Sequence, residues 1–210
     1  MAIALLLPLF AGCAAPDAAG SEEPEALRWI TIDELGASLP PAPIAVGFDV
    51  DDTLLFSSPG IYYGLNNVDG PDGSNRFGPE PLSNQEFWAT LNRELDAFSL
   101  PKRSARELIE LHAGRGDEIW FITARPGSED EALTALLGRT FGLVEPNPVV
   151  FMAFQNKNGA IAERELAIYY GDSDGDIEDG LAAGARAIRV LRARNSTHPQ
   201  PPSPGTHGEE

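Results

Sequence analysis

The chain has 210 residues, of which 42% are hydrophobic, enough for the core of one large or two small domains and too many for a disordered protein. Fifteen basic residues against 32 acidic ones give a formal net charge of −17. This charge argues against binding to a nucleic-acid polymer or an anionic membrane surface, because the chain has no excess of positive charge to attract either. The single Cys excludes an intramolecular disulfide and a Cys-based zinc site.

The first 13 residues form an apolar run that ends in Cys13. This run is shorter than the roughly 20 residues of a membrane span and is typical of an export signal. Ala11 and Gly12 before Cys13 resemble a bacterial lipobox, which predicts lipidation of Cys13 as the route to a membrane. A buried N-terminal strand with an incidental Cys is the alternative. Residues 14–27, rich in Ala, Glu, Ser and Gly, then predict a flexible tether.

Short apolar runs alternate with helix-patterned segments over residues 28–197. This alternation is typical of a three-layer, Rossmann-like α/β fold, in which helices cover both faces of an open parallel sheet. Continuous hydrophobicity, as in strands buried on both sides, predicts five strands at residues 44–48, 118–122, 149–151, 167–170 and 187–190.

Two helices are predicted between these strands. One begins at Pro101 and ends near Arg115, with His112 on its apolar face, which favours a core-edge role for His112 over a catalytic one. Ser128 and Glu131 have the spacing of a capping box and predict the start of the other helix.

Residues 54–100 interrupt the alternation. They begin with a loop rich in Ser, Pro, Gly and Asn, and a capping box of Ser83 and Glu86 then predicts a helix. A small cap of loop plus helix, inserted after the first strand, is expected over the carboxyl ends of the sheet, where open α/β folds bind ligands. Residues 198–210, rich in Pro and Gly, predict an irregular tail.

Charged and hydroxyl side chains recur where the predicted strands end. Asp49 and Asp51 follow the first strand and point to the same side of an extended chain. Taken alone, this acidic segment fits a solvated turn equally well. Because parallel strands end at one edge of a sheet, the whole set is expected to converge. Its members are Asp49, Asp51, Thr123, Ala124, Arg125, Lys157, Asp172 and Asp176.

These residues resemble the four motifs of the haloacid-dehalogenase-like phosphohydrolases, namely Asp49-Val-Asp51-Asp-Thr53, Thr123, Lys157 and Gly171-Asp172-Ser-Asp-Gly-Asp176. The chain is more closely similar to the bacterial class B acid phosphatases. That similarity extends from about residue 28 to residue 210 and is carried by residues 46–60, 98–102, 147–151, 170–174 and 191–197.

The resemblance implies a periplasmic acid phosphatase that hydrolyses small phosphate monoesters, such as nucleotides and aryl or sugar phosphates. Asp49 would form an aspartyl-phosphate, and Asp51 would act as general acid and base. Thr123 and nearby amides would hold the phosphoryl oxygens, and Lys157 would offset charge. Transfer to an alcohol instead of water stays open, since both would attack the same intermediate.

The resemblance also implies a Mg²⁺ ion. Its ligands would be Asp49, the backbone carbonyl of Asp51 and Asp172, with Asp176 as a water-mediated contact. Family members form tetramers, so a homo-oligomer is expected.

Substrate-binding positions of the family correspond to Thr123, Ala124, Arg125, Lys157, Leu82, Trp88, Ile61 and His198. Arg125 would bind substrate phosphate or cap the following loop. Leu82 and Trp88 match an apolar wall, although ordinary packing explains them equally well. Ile61 and His198 stand where the family usually has aromatic residues, and the segment between residues 151 and 157 is shorter than usual.

Other readings account for less of the sequence. A calcium-binding loop of EF-hand type starting at Asp172 would need Gly and Glu where Ile177 and Ala183 stand. A catalytically silent, surface-binding lipoprotein on the same fold is the main alternative, against which the intact Asp49 and Asp51 argue.

Overall fold

A computed structural model of the protein describes residues 30–199. The predicted export signal with Cys13, the tether and residues 200–210 of the tail lie outside these described residues. Within residues 30–199, no helix combines the length and the apolar character needed to cross a bilayer.

The strands are β1 Ala45–Phe48, β2 Leu55–Phe56, β3 Leu100–Pro101, β4 Glu118–Thr123, β5 Val150–Phe151, β6 Ile168–Gly171 and β7 Arg186–Arg189. Five of them form a parallel sheet in the order β5-β4-β1-β6-β7. Each lies within one residue of its predicted bounds, so the predicted α/β fold is confirmed. Phe48 is in register with Phe121 and Tyr170, so the residues after β1, β4 and β6 emerge at the same edge.

The helices are α1 Ile32–Ser38, α2 Ser58–Asn66, α3 Gln85–Arg93, α4 Arg103–Arg115, α5 Leu133–Phe141, α6 Asn158–Glu163 and α7 Asp174–Ala182. One apolar cluster joins α1, α4 and α5 to the face of the sheet that carries Val46 and Phe48. A second joins α6 to the opposite face, around Tyr169. These layers bury the strands on both sides, which explains their continuous hydrophobicity.

The start of α4 differs from the prediction. The helix begins at Arg103, because Pro101 belongs to β3 and pairs with Leu55 of β2. The Lys102 amide donates to the Leu54 carbonyl, which keeps Lys102 extended before the helix. His112 is fully buried in α4.

Both predicted capping boxes are wrong. At residues 128–131, Glu131 accepts from the amide and hydroxyl of Thr134 inside α5, and the helix has no side-chain cap. At residues 83–86, Asn84 is the capping residue, and its side chain accepts from the Glu86 amide.

The cap is larger than the predicted loop plus one helix. It contains α2, α3 and two 3₁₀ turns, Pro81–Ser83 and Leu95–Phe98. Antiparallel pairing of β2 with β3 closes its base. Its own core consists of Ile61, Phe77, Phe87, Trp88, Leu91 and Leu95.

Candidate active site

Three carboxylates meet at the edge of the sheet where β1 and β6 end. Asp49 follows β1, Asp172 follows β6 and Asp176 lies in the first turn of α7. All three are buried, and their oxygens lie within 4.8 Å of one another. We call this group the acidic cluster. The structure thus brings together three of the predicted metal-site residues.

Local geometry holds Asp176 in place. The Ser173 hydroxyl accepts from the Asp176 amide at 3.1 Å, while Asp176 Oδ2 accepts from the Ser173 amide at 3.1 Å and from its hydroxyl at 2.6 Å. A β-carbon at Gly171 would overlap the Asp176 side chain. Gly171 therefore lets α7 start close against the end of β6.

Lys157 is buried beside the acidic cluster. Its Nζ donates to Asp49 Oδ1 at 2.5 Å and to Asp176 Oδ1 at 2.6 Å. Its backbone amide, just before α6, donates to Asp179. The ion pairs raise the pKa of Lys157 well above its usual range although burial opposes this, so Lys157 is an ammonium cation.

Two further residues bind the acidic cluster. The Thr53 hydroxyl is 3.1 Å from Asp49 Oδ2 and 3.4 Å from Asp172 Oδ1. Arg192, after β7, donates to Asp172 Oδ2. Arg192 is not among the predicted site residues, although it lies within residues 191–197, which carry part of the family resemblance.

The acidic cluster carries more negative charge than its protein partners offset. Burial raises the pKa of Asp49 well above its usual range, although the positive charge of Lys157 lowers it. The neighbouring carboxylates of Asp176 and Asp172 raise it further. Burial also raises the pKa of Asp172 to about 6, although the positive charge of Arg192 lowers it. A surplus of buried carboxylate oxygens is the donor set that suits a hard divalent cation, so these residues fit one.

Asp51 belongs to a different group of side chains. Its carboxylate pairs with Arg125 at two points, 2.8 Å from Nε and 2.6 Å from Nη2. Burial opposes ionisation, but Arg125 holds the pKa of Asp51 well below its usual range. The Thr123 hydroxyl is 3.5 Å from the same carboxylate.

Arg125 is itself almost fully buried, at 1% exposed. Besides Asp51, it donates to Asn92 at 3.1 Å and to the two oxygens of Asp96 at 2.5 and 3.1 Å. All five guanidinium N–H groups therefore have acceptors. Through these bonds Arg125 orients Asp51 and joins it to the cap. Its role in binding substrate phosphate or in capping the following loop stays a prediction.

The remaining predicted positions fall into an exposed and a buried group. Ala124 is exposed, next to the buried Thr123. Leu82 is exposed, and its carbonyl accepts from Trp88 Nε1 at 2.8 Å. Ile61 lies inside the cap core and does not face an open surface.

His198 contacts the loop that follows Asp49. Its Nδ1 lies 2.8 Å from Asp52 Oδ2, and the Ser196 hydroxyl donates to the same oxygen. The predicted tail thus begins with a residue that packs against the site.

Comparison with known proteins identifies the family. A family model described as HAD superfamily, subfamily IIIB (Acid phosphatase) matches residues 30–201. A class B acid phosphatase of Haemophilus parainfluenzae is 40% identical over 195 residues, covering 90% of this chain and 80% of the relative. One from Edwardsiella ictaluri is 45% identical over 194 residues, covering 88% and 77%. One from Haemophilus influenzae is 37% identical over 230 residues, covering 98% and 94%.

The chain belongs to the class B acid phosphatases of the HAD superfamily. As a member of this family it is a phosphoric monoester hydrolase, which confirms the resemblance and the enzyme class that the motifs predict.

Two residues that hold Arg125 in this acid phosphatase belong to none of the predicted sequence motifs. Asn92 and Asp96, which hold Arg125, lie in α3 and in the turn after it. They follow Trp88 at intervals of four residues, the spacing of one helix face. Asn92 and Asp96 are polar residues on a helix face that also carries the apolar Trp88. This pattern could have indicated that the face binds a buried polar side chain.

Proposed function

We propose that this phosphatase is an exported, Mg²⁺-dependent enzyme that hydrolyses small phosphate monoesters through an aspartyl-phosphate on Asp49. The observation that supports it best is the buried acidic cluster with Lys157 Nζ 2.5 Å from Asp49. A nucleophile, a fixed cation and a cation-binding set of oxygens are the groups that phosphoryl transfer requires.

In the first step, Asp49 attacks phosphorus and the alcohol departs. This divides one difficult displacement into two easier ones. Lys157 offsets the negative charge that Asp49 and the phosphoryl group share in the transition state. The Thr123 hydroxyl and the amide of exposed Ala124 hold the phosphoryl oxygens.

Asp49, Asp172 and the backbone carbonyl of Asp51 would hold Mg²⁺. When bound, the ion neutralises these carboxylates and permits a phosphate dianion to approach. Asp176, which pairs with Lys157 through Oδ1 and with Ser173 through Oδ2, would contact the ion through water, as the family resemblance implies.

Asp51 supplies the proton transfers. The charged carboxylate beside Arg125 can take a proton from the attacking water in the second step. To protonate the departing oxygen it must first gain a proton, which its low pKa favours only under acid conditions. Hydrolysis at acid pH is therefore the activity that this pair suits. An alcohol that replaces water would give phosphotransfer.

The proposal includes cell location and assembly. The apolar run before Cys13 supports export to the periplasm, with lipidation at Cys13 as a possible anchor. The resemblance to tetrameric family members supports a homo-oligomer.

The deciding experiment measures turnover of p-nitrophenyl phosphate by wild type, Asp49→Asn and the exposed control Asp33→Asn, with and without chelator. We expect Asp49→Asn to reduce turnover by at least about 10³-fold, because the nucleophile is lost. Chelation should also abolish turnover, and added Mg²⁺ should restore it. The control should match wild type. Activity that survives both the substitution and the chelator would contradict the mechanism.

A further inference from the structure

Phe154 is an exposed aromatic residue in the short segment between β5 and α6. Its side chain is 60% exposed. Its ring meets Trp88 of the cap edge-on, with the ring centroids 5.4 Å apart and the planes at 71°. Trp88 is nearly buried, so the Phe154 ring, which belongs to the sheet domain, adds an exposed apolar surface next to the cap.

The backbone fixes Phe154 relative to residues 123–125, which we call the phosphoryl loop. The amides of Met152, Ala153 and Phe154 donate to the carbonyls of the phosphoryl loop at 2.9, 3.1 and 2.7 Å. These bonds hold the backbone of residue 154 directly beside the phosphoryl loop.

This position has a conformational cost. Ala153 and Phe154 have φ values of +48° and +63°, in the left-handed region that few non-glycine residues adopt. Bulky residues held there concentrate at functional sites, where the surrounding structure enforces the conformation. Glycine would satisfy the same backbone without strain, so the ring at residue 154 requires an explanation other than the turn.

Of the two positions where the family usually has aromatic residues, one is aliphatic here and the other is a histidine that is tied to Asp52. Ile61 is aliphatic and 2% exposed within the cap core. His198 is bound to Asp52 through Nδ1. Phe154 occupies the shortened segment that precedes Lys157 and presents its ring next to Trp88.

We infer that Phe154 determines specificity for aromatic substrates, by stacking its ring on the aryl group or nucleobase of a monoester bound at the phosphoryl loop. Leu82 and Trp88 form the adjoining apolar wall. The inference rests on the proposed phosphomonoesterase function and adds to it a specificity-determining residue that lies outside the substrate-binding positions of the family.

The test compares Phe154→Leu with wild type on two substrates, adenosine monophosphate and glycerol phosphate. Leucine keeps an apolar side chain but removes the stacking face. We expect kcat/KM for adenosine monophosphate to fall about tenfold, mainly through KM, because one base–aromatic stacking contact is lost. For glycerol phosphate, which has no ring, kcat/KM should stay within about twofold. The control Phe98→Leu removes a ring that is 65% exposed elsewhere on the cap and should match wild type on both substrates.

Binding of adenosine, measured by calorimetry, separates this inference from the proposed function because it needs no turnover. We expect its Kd to rise about tenfold in Phe154→Leu. Equal losses on both substrates, or an unchanged Kd for adenosine, would overturn the stacking role. A wild type that binds adenosine but hydrolyses neither substrate would overturn the proposed function instead.

Discussion

Asp51 and Arg125 illustrate how one ion pair sets the chemistry of a single residue. The two-point pairing keeps Asp51 ionised, and the bonds to Asn92 and Asp96 keep Arg125 in place. A charged carboxylate that is held in one orientation is ready to accept a proton. Donation requires a proton from solution and therefore becomes more favourable as the pH falls.

Substitution of Asp51 by Asn should affect substrates according to their leaving groups. The amide cannot donate a carboxylic proton, so turnover of an alkyl phosphate, whose alkoxide leaves poorly, should fall by about 10² to 10⁴-fold. Turnover of p-nitrophenyl phosphate should fall much less, because p-nitrophenolate leaves without protonation. The measurement is kcat/KM on both substrates, because it reports formation of the aspartyl-phosphate and leaves out the second step, in which Asp51 acts as the base for either substrate. Equal losses would remove the general-acid assignment.

The cap and the sheet domain are joined by buried polar contacts. Asp96, in the turn after α3, and Arg125, after β4, form an ion pair in which both side chains are almost fully buried. Asn92 of α3 donates to the Pro126 carbonyl at 2.9 Å. These contacts fix the cap over the site, and through Arg125 they reach Asp51.

Asp96→Asn tests this connection, with Asp130→Asn as its matched control. Asp130 also pairs with an arginine, Arg93, but more than half of its side chain is exposed. Removal of one charge from a buried pair should lower the free energy of unfolding by about 3 to 5 kcal/mol, whereas loss of the exposed, solvent-screened pair should lower it far less. The measurements are denaturant unfolding and kcat.

We also expect Asp96→Asn to lower kcat, since Arg125 would hold Asp51 less firmly. Similar small effects of the two substitutions on stability and turnover would show that the cap does not act through Arg125.

At the scale of the whole molecule, the stability of the folded chain depends on pH through two histidines with opposite shifts. The hydrogen bond to Asp52 raises the pKa of His198 above its ordinary value of 6.5. Burial lowers the pKa of His112, which bonds Asp117 and Tyr170. The contribution of His198 is therefore complete below its unfolded pKa and is lost as the pH rises through its folded pKa. His112 contributes above its unfolded pKa and loses this contribution as the pH falls.

His198→Gln should therefore lower the melting temperature more at about pH 5 than at about pH 8.5. The control is Ser196→Ala, which removes another hydrogen bond to the same oxygen of Asp52 but no titrating group. Its effect should be nearly independent of pH. Thermal unfolding of both variants at the two pH values checks the difference. A pH-independent effect of His198→Gln would contradict a charged His198–Asp52 contact.

The sequence predicts the sheet well and the cap poorly, for physical reasons. Strands buried on both faces must be continuously apolar, and this pattern is local. Helix α2 contains Gly60 and Gly64, which disfavour a helix by propensity. A β-carbon at Gly64 would overlap the Phe87 ring, so packing within the cap stabilises α2 where local preference does not.

The sequence by itself determines that Asp49, Lys157, Asp172 and Asp176 can meet, because each lies at a set distance from a strand end and parallel strands end at one edge. Only the tertiary structure decides which partner each carboxylate has. Arg125 donates to Asp96, 29 residues away in the sequence, and also to Asp51. Such pairs depend on how the cap folds back over the sheet. That arrangement is set by packing between distant segments, and a periodic pattern within one segment does not say which distant residue it will pair with.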